Sequence, residues 1–186
     1  MTSAGGRGKG PAMPASAARG SAIRAAIVLV PLLNLLGGAS ARVSGQMADS
    51  SWFDALTLPA AQPPGIAFPI AWTILYSLMG IAAALVWATK VRGRWIALGL
   101  FAAQLALNLA WAPLFFREHQ ILYSLILLVL IWIAAIVTTF AFGRVNRVAA
   151  WLMVPYLIWL SFAAALNFDI WRLNPHGGPT VIATER

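Results

Sequence analysis

Two amides and an indole share one face of an apolar segment, where they could hydrogen-bond a ligand inside a membrane. Gln104, Asn108 and Trp111 recur at i, i+4 and i+7, which is the spacing of one helix face. Amides in hydrocarbon need partners, and so does an indole N–H. If the face carried only the two amides, hydrogen bonds to neighbouring helices would be enough to explain them. An aromatic residue on the same face favours a binding pocket.

Two other apolar segments carry matching groups at a similar depth. At 1.5 Å per residue, Trp72 and Tyr76 lie about 9 and 15 Å from the beginning of one segment. Trp159 and Asn167 lie about 18 and 6 Å from the end of another. The alternating directions of the segments bring all these groups to the same half of a bundle. We therefore expect a polar and aromatic cavity there.

The composition shows that the elements carrying these groups are membrane helices. The chain of 186 residues is 61% hydrophobic and only 10% charged, whereas ordinary globular chains carry about 25% charged residues. A soluble enzyme is therefore excluded. The absence of cysteine excludes disulfides and thiolate chemistry. With two histidines and five acidic residues, we expect no metal site, no obligatory cofactor and no acid–base pair for catalysis.

Five apolar stretches are long enough to cross a bilayer, which takes about 20 residues. The sequence therefore predicts an all-α integral membrane bundle of five transmembrane helices. Short gaps between the last four spans make neighbouring helices antiparallel. The predicted spans are 25–41, 66–89, 95–116, 121–142 and 149–171, within a membrane domain of 25–172. The remaining parts are a basic, disordered extension (1–24), a lid loop over the cavity (42–65) and a polar tail (173–186).

The first span has two interpretations. A basic stretch, an apolar run and the small residues Ala39-Ser40-Ala41 also fit a cleavable secretory signal. The extension before the span is rich in Gly, Ala, Ser and Pro, which is typical of a disordered tail. An organelle-targeting peptide is the alternative reading of that extension.

The distribution of basic residues predicts the orientation of the chain. Nine Lys and Arg residues fall on the side of the N-terminus and of the second and fourth loops, against four on the other side. Basic residues stay preferentially in the cytoplasm. We expect the N-terminus inside and the lid loop outside, and this distribution explains the net charge of +8 without a nucleic-acid partner. The bacterial cytoplasmic membrane is the expected location; an outer or mitochondrial membrane is the alternative.

A second face of the third span carries small residues. Ala102, Ala106 and Ala110 recur at four-residue spacing, about 200° around the helix from the polar face. Small residues at this spacing let helices approach closely. This face predicts a homodimer through the third span, with packing inside the bundle as the alternative.

Between Trp52 and Asn174 the chain resembles the TspO family of tryptophan-rich sensory proteins, which are related to the mitochondrial translocator protein (the peripheral-type benzodiazepine receptor). The resemblance rests on a series of short motifs in matching order and spacing. They are Phe68-Pro69, Trp72-Thr73, Leu75-Tyr76, Met79-Gly80, Gln104-Leu105, Leu107-Asn108, Trp111, Phe115-Phe116, Pro155-Tyr156-Leu157, Trp159, Ala163, Leu166-Asn167 and Trp171-Arg172.

The resemblance implies a five-helix bundle, commonly a homodimer, and it favours a first span that is retained. It implies an intramembrane pocket for porphyrins such as protoporphyrin IX and haem, and for isoquinoline and benzodiazepine ligands. Trp72 and Trp159 match two tryptophans credited in bacterial relatives with light-dependent breakdown of porphyrin. Tyr76, Asn108, Trp111 and Ala163 match pocket positions.

The lid loop departs from the family pattern. Trp52, Pro63 and Pro64 fit it, as do Leu56 and Pro59. An aromatic position is filled by Phe53, a lysine position by Leu58 and a tryptophan position by Ala61, so the lid is less polar and less aromatic. A sterol-recognition pattern would need tyrosine where Phe168 stands, and we do not expect sterol binding from it.

Three functions remain open at this point. The first is a receptor that binds a flat tetrapyrrole, with a role in its regulation or transport. The second is porphyrin degradation driven by light and oxygen, with Trp72 and Trp159 as redox-active side chains. The third is a transporter of small molecules, although the spans carry no charged relay for ion coupling.

Overall fold

Six α-helices and one π-helical turn form the regular structure of the described residues. The computed structural model describes residues 15–45, 51–175 and 177. Five helices are long and apolar enough to cross a membrane, which confirms the predicted all-α five-span class. In order, the elements are α1 (Ala15–Val43), α2 (Ser51–Asp54), α3 (Ala67–Ala88), α4 (Arg94–Ala112), the π-helical turn (Pro113–Arg117), α5 (Ile121–Val145) and α6 (Arg147–Leu173).

The first helix is longer than the sequence predicts. We expected a disordered extension up to residue 24, but α1 begins at Ala15, and residues 1–14 lie outside the described part of the chain. The stretch from Ala15 to Ala26 contains mainly alanine and arginine, which have high helix propensity and outweigh its one glycine. The helix also continues to Val43, so the first two residues of the predicted lid loop, 42 and 43, are helical.

The lid loop has local structure of its own. A turn at Ser44 and Gly45 follows α1, residues 46–50 lie outside the described part, and α2 forms a single helical turn. Residues 174 and 175 of the predicted polar tail are described, and Asn174 is buried. Both segments therefore pack against the bundle at one end.

The five long helices enclose one apolar core. Helix α1 packs on α3, α3 on α6, α6 on α5, and α5 on α4, which returns to α3 and α1. Fully buried side chains from α3, α5 and α6 meet at the centre: Met79, Val86, Ile131, Phe142, Met153 and Leu160. On the outside, large apolar side chains such as Leu35, Phe140 and Trp151 are exposed, as expected for a protein solvated by lipid.

Two ends of the bundle carry different connections. We call the end that holds residues 44–45, 51–66 and 118–120 the lid end, and the end that holds residues 89–93 and Asn146 the basic end. Asn146 alone joins α5 to α6, and its Oδ1 accepts hydrogen bonds from Val148 N (2.9 Å) and Ala149 N (3.2 Å). This side-chain cap begins α6 directly where α5 ends.

Helix α1 approaches α3 closely because a glycine lies at their crossing. A Cβ at Gly80 would lie 2.9 Å from Val30 Cα, a separation that backbone atoms cannot relieve without moving the helix. Asn34 Nδ2 also donates to Ser77 Oγ across the contact (3.3 Å). This close approach makes α1 a wall of the bundle.

Candidate functional site

Two tryptophans from different helices meet in the lid-end half of the bundle. The rings of Trp72 on α3 and Trp159 on α6 lie edge to face, with centroids 6.2 Å apart and an interplanar angle of 79°. Trp72 also stacks on Tyr76 (5.2 Å, 27°), and Trp159 meets the edge of Phe68 (6.0 Å). Both indoles are half-buried. The structure thus brings together the two tryptophans that the depth argument put in the same half of the bundle.

Two tyrosine–amide pairs lie beside these rings. Tyr76 Oη donates to Asn108 Oδ1 (2.8 Å), and Tyr156 Oη donates to Gln104 Oε1 (3.0 Å). The Tyr156 ring also lies 6.4 Å from that of Trp72. We had not assigned Tyr156 to the site from sequence. Its hydroxyl is the partner that a fully buried Gln104 requires.

The remaining polar groups of the cluster are hydrogen-bond donors. Gln104 Nε2 and Trp111 Nε1 are buried and have no hydrogen-bond partner among the described residues. The amide oxygens of Gln104 and Asn108 already accept from the tyrosines. A buried donor without a partner costs about 1–3 kcal/mol. The cluster therefore offers two buried N–H donors that a hydrogen-bond acceptor would satisfy.

Helix α1 fixes the position of Tyr76. A Cβ at Gly37 would overlap the Tyr76 ring, so the tyrosine occupies the space that this glycine leaves. Ser40 Oγ donates to Leu109 O on α4 (2.6 Å). Helix α1, from which no site residue was predicted, is in this way bound to both helices that carry the Tyr76–Asn108 pair.

The lid loop is anchored by aromatic contacts with the end of α4. Trp52 is only 4% exposed; it meets the edge of Phe115 (5.7 Å) and stacks on His119 (4.2 Å, 18°). Phe53 packs against Phe116 (5.4 Å). The π-helical turn presents Phe115 and Phe116 to the lid, and Phe115 also stacks on Trp111 (5.2 Å). One continuous aromatic row therefore joins the lid to the polar cluster.

The side-chain amide of Asn174 joins the lid loop to the end of α6 by hydrogen bonds. Thr57 N donates to Asn174 Oδ1 (3.0 Å), and Asn174 Nδ2 donates to Thr57 O (3.0 Å) and to Ile170 O (2.8 Å). We had assigned Asn174 no role from sequence. The other predicted lid residues take no part in this pairing: Leu58 packs beside Trp52, Pro63 is half-buried, and Pro64 and Ala61 are exposed.

Asn167 does not join the cluster as predicted. Its Nδ2 donates to Ile121 O (3.2 Å) and its Oδ1 accepts from Ser124 Oγ (3.3 Å). Both ends of the amide are therefore used in the contact between α5 and α6. Spacing along α6 gave its depth correctly but could not show which neighbouring helix it faces.

The other predicted residues divide between the core and the surface. Ala163 is half-buried and packs in the same core as Trp159. Ala102, Ala106 and Ala110 are exposed on α4, on the side away from the buried Gln104, and their role in a homodimer stays a prediction. Trp132, which lies at mid-depth on α5, donates to Ser161 Oγ (2.9 Å).

Known proteins of one family are similar to this chain. The TspO/MBR family profile matches residues 26–172. A tryptophan-rich protein TspO of Chlorobaculum tepidum is 45% identical over 129 residues, which are 68% of this chain and 82% of the relative. Protein CrtK of Rhodobacter capsulatus is 40% identical over 134 residues (71% and 84%). The human translocator protein is 42% identical over 131 residues (68% and 76%).

Removing one hydroxyl tests the buried pairing at Gln104. In Tyr156→Phe, the amide of Gln104 loses its one partner, so we expect the free energy of unfolding to fall by about 1–3 kcal/mol. The measurement is the midpoint of thermal denaturation in detergent. Tyr123→Phe is the matched control, because Tyr123 is 62% exposed and should leave the midpoint unchanged. Equal midpoints for both variants would contradict the pairing.

Proposed function

The chain belongs to the TspO/MBR family, and we propose that it is a receptor for porphyrins. Membership of this family supports a membrane receptor or transporter role. Five candidate spans and bacterial relatives make it a multi-pass integral membrane protein. The proposed ligands are protoporphyrin IX and haem, and isoquinoline or benzodiazepine compounds of similar flatness. The proposed role is in tetrapyrrole regulation or transport.

The single observation that carries this proposal is a set of buried donors next to an aromatic corner. Gln104 Nε2 and Trp111 Nε1 have no hydrogen-bond partner in the part of the chain that the structure describes, and the rings of Trp72 and Trp159 stand at 79° to each other. A flat macrocycle can stack on one indole and meet the edge of the other. Its carbonyl or carboxylate oxygens would then accept from the buried N–H groups. Pockets of this kind are mainly apolar with a few polar groups that orient the ligand.

Iron has no assigned part in the proposed binding. The described side chains of the cluster include no histidine, and His119 lies at the lid, stacked on Trp52. Affinity would therefore come from apolar burial, stacking and hydrogen bonds. We propose that metal-free porphyrin and haem bind comparably.

The lid loop would admit the ligand by releasing its anchors. Trp52 and the Thr57–Asn174 pair hold the lid in place, so the lid must part from α4 or α6 before a molecule enters at this end. By the positive-inside rule, the N-terminus lies in the cytoplasm and the lid outside. We propose the bacterial cytoplasmic membrane as the location and a homodimer through the exposed alanine face of α4.

A second candidate function is degradation of bound porphyrin by light and oxygen. The contact between Trp72 and Trp159, and the stacking of Trp72 on Tyr76, favour it. These three rings form a series of oxidisable side chains. One of them would give an electron to the excited porphyrin, which passes it to O₂; the side-chain radical would then take an electron back from the macrocycle. The net reaction is oxidation of the porphyrin by O₂, with the oxygen atoms added to the ring.

Trp111→Phe and Asn108→Ala test the proposed binding. The first keeps a ring and removes the N–H; the second removes an amide. We expect each to weaken protoporphyrin IX binding about threefold to tenfold, the value of one hydrogen bond. The measurement is quenching of tryptophan fluorescence during titration. Trp151→Phe, at the basic end and highly exposed, is the control and should bind as the parent does. Unchanged affinity in both test variants would overturn the proposal.

Illumination of the bound complex separates the two candidate functions. At saturating protoporphyrin, Trp72→Phe and Trp159→Phe should bleach the pigment more slowly than the parent if these indoles supply electrons. Trp132→Phe is the control, since its indole is bound to Ser161 on another face of α6. Bleaching at the parent rate in both test variants would exclude the catalytic function and leave the receptor.

A further inference from the structure

A groove at the basic end lies between the beginning of α1 and the end of α3. It has a volume of about 360 Å³ and is open on one side. Its walls are almost wholly apolar, with Ala22 and Ala26 on α1 facing Ile81 and Leu85 on α3. This groove is at the opposite end of the bundle from the porphyrin site, and nothing proposed for that site involves it.

Polar groups occur at only one end of the groove. Arg19, Thr89 and Asn146 line it there, close to where α1 begins, α3 ends and α5 meets α6. The apolar wall continues from Arg19 to Ala26, about 10 Å along the helix axis. The groove therefore has a cationic mouth and an apolar channel directed toward the middle of the bundle. An amphiphilic molecule has the matching arrangement, with a charged head at one end and an apolar chain at the other.

The charge around the mouth is entirely positive among the described residues. All described acidic side chains, Asp54, Glu118 and Asp169, are at the lid end, and so are both ion pairs that the described residues form. The basic end carries Arg19, Arg24, Lys90, Arg92, Arg94, Arg144 and Arg147. The sequence before Asp49 contains no acidic residue. No acidic side chain in the described part of the chain therefore lies at the end where Arg19 stands.

Asn146 adds a hydrogen-bond donor to this mouth. Its Oδ1 accepts from Val148 N and Ala149 N, so the remaining capacity of the side chain is the pair of N–H groups on Nδ2. An arginine together with an amide donor is suited to phosphate oxygens, which arginine binds in a forked geometry. Basic pockets between helices at the cytoplasmic side are known to hold anionic headgroups.

We propose that this groove binds an anionic phospholipid, with its phosphate on Arg19 and Asn146 and one acyl chain along the alanine-lined channel. A zwitterionic lipid fits the channel equally but brings no net charge to the mouth. The site would fix one lipid between α1 and α3 where Gly80 already brings the two helices close. It adds a contact between α1 and α3 at the basic end that is made through the lipid.

Native mass spectrometry of the full chain in detergent tests the proposal with two named lipids. We expect dioleoylphosphatidylglycerol to be retained in preference to dioleoylphosphatidylcholine. Arg19→Gln should reduce that preference about fivefold, the value of one basic residue near an anionic headgroup. Arg24→Gln is the matched control: it removes the same charge from the same helix, about 140° around from Arg19, and it does not line the groove. It should keep the parent's preference.

A second variant tests the channel without changing charge. Ala22→Leu fills the groove, so retention of the first bound lipid should fall for both lipids. Parent-like protoporphyrin titration in every variant shows that the bundle is folded. If Arg19→Gln and Arg24→Gln lose the preference for the anionic lipid to the same extent, the preference comes from diffuse surface charge and the proposal is overturned. Equal retention of the two lipids by the parent, or a dimer whose abundance falls in Ala22→Leu while lipid retention is unchanged, would also overturn it.

Discussion

Hydrocarbon offers no hydrogen-bonding partner, and this constraint decides where the polar side chains of the bundle lie. Most serine and threonine hydroxyls of the long helices donate back to carbonyls one turn earlier, as Thr138 does to Ala134. Asn167 is satisfied on α5, and the oxygens of Gln104 and Asn108 are satisfied by tyrosines. Against this background the N–H groups of Gln104 and Trp111 are conspicuous. Under the proposed function, the ligand supplies their acceptors.

The same cluster depends on helices and loops that contribute no polar group to it. Gly37 leaves room for the Tyr76 ring, which in turn holds Asn108. At the other side, Trp111 stacks on Phe115, which meets Trp52 of the lid. A movement of the lid would therefore be transmitted to Trp111 through packed rings. The orientation of the polar cluster and of the Trp111 N–H therefore depends both on the packing of α1 and on the closed position of the lid.

Much of the architecture could be predicted from the sequence because the bilayer imposes simple rules. Apolar length gives the spans, and the 3.6-residue period puts Gln104, Asn108 and Trp111 on one face. Contacts between distant segments were beyond these rules. The pairing of Thr57 with Asn174 joins residues 117 apart in the chain, and the stacking of His119 on Trp52 is equally non-local. Asn167 was misplaced for the same reason: depth is encoded locally, but the neighbour that a side chain faces is not. The early beginning of α1 reflects the high helix propensity of the residues from Ala15 to Ala26. The Gly and Ser content of the whole extension does not show this local preference.

An experimental structure of the chain with protoporphyrin IX bound tests the central claim most directly. The account predicts the macrocycle stacked on the indole of Trp72 or Trp159 and meeting the edge of the other, with a ligand oxygen within hydrogen-bond distance of Gln104 Nε2 or Trp111 Nε1. A porphyrin bound on the lipid-facing surface, with both of these nitrogens still unpartnered in the closed cluster, would contradict it.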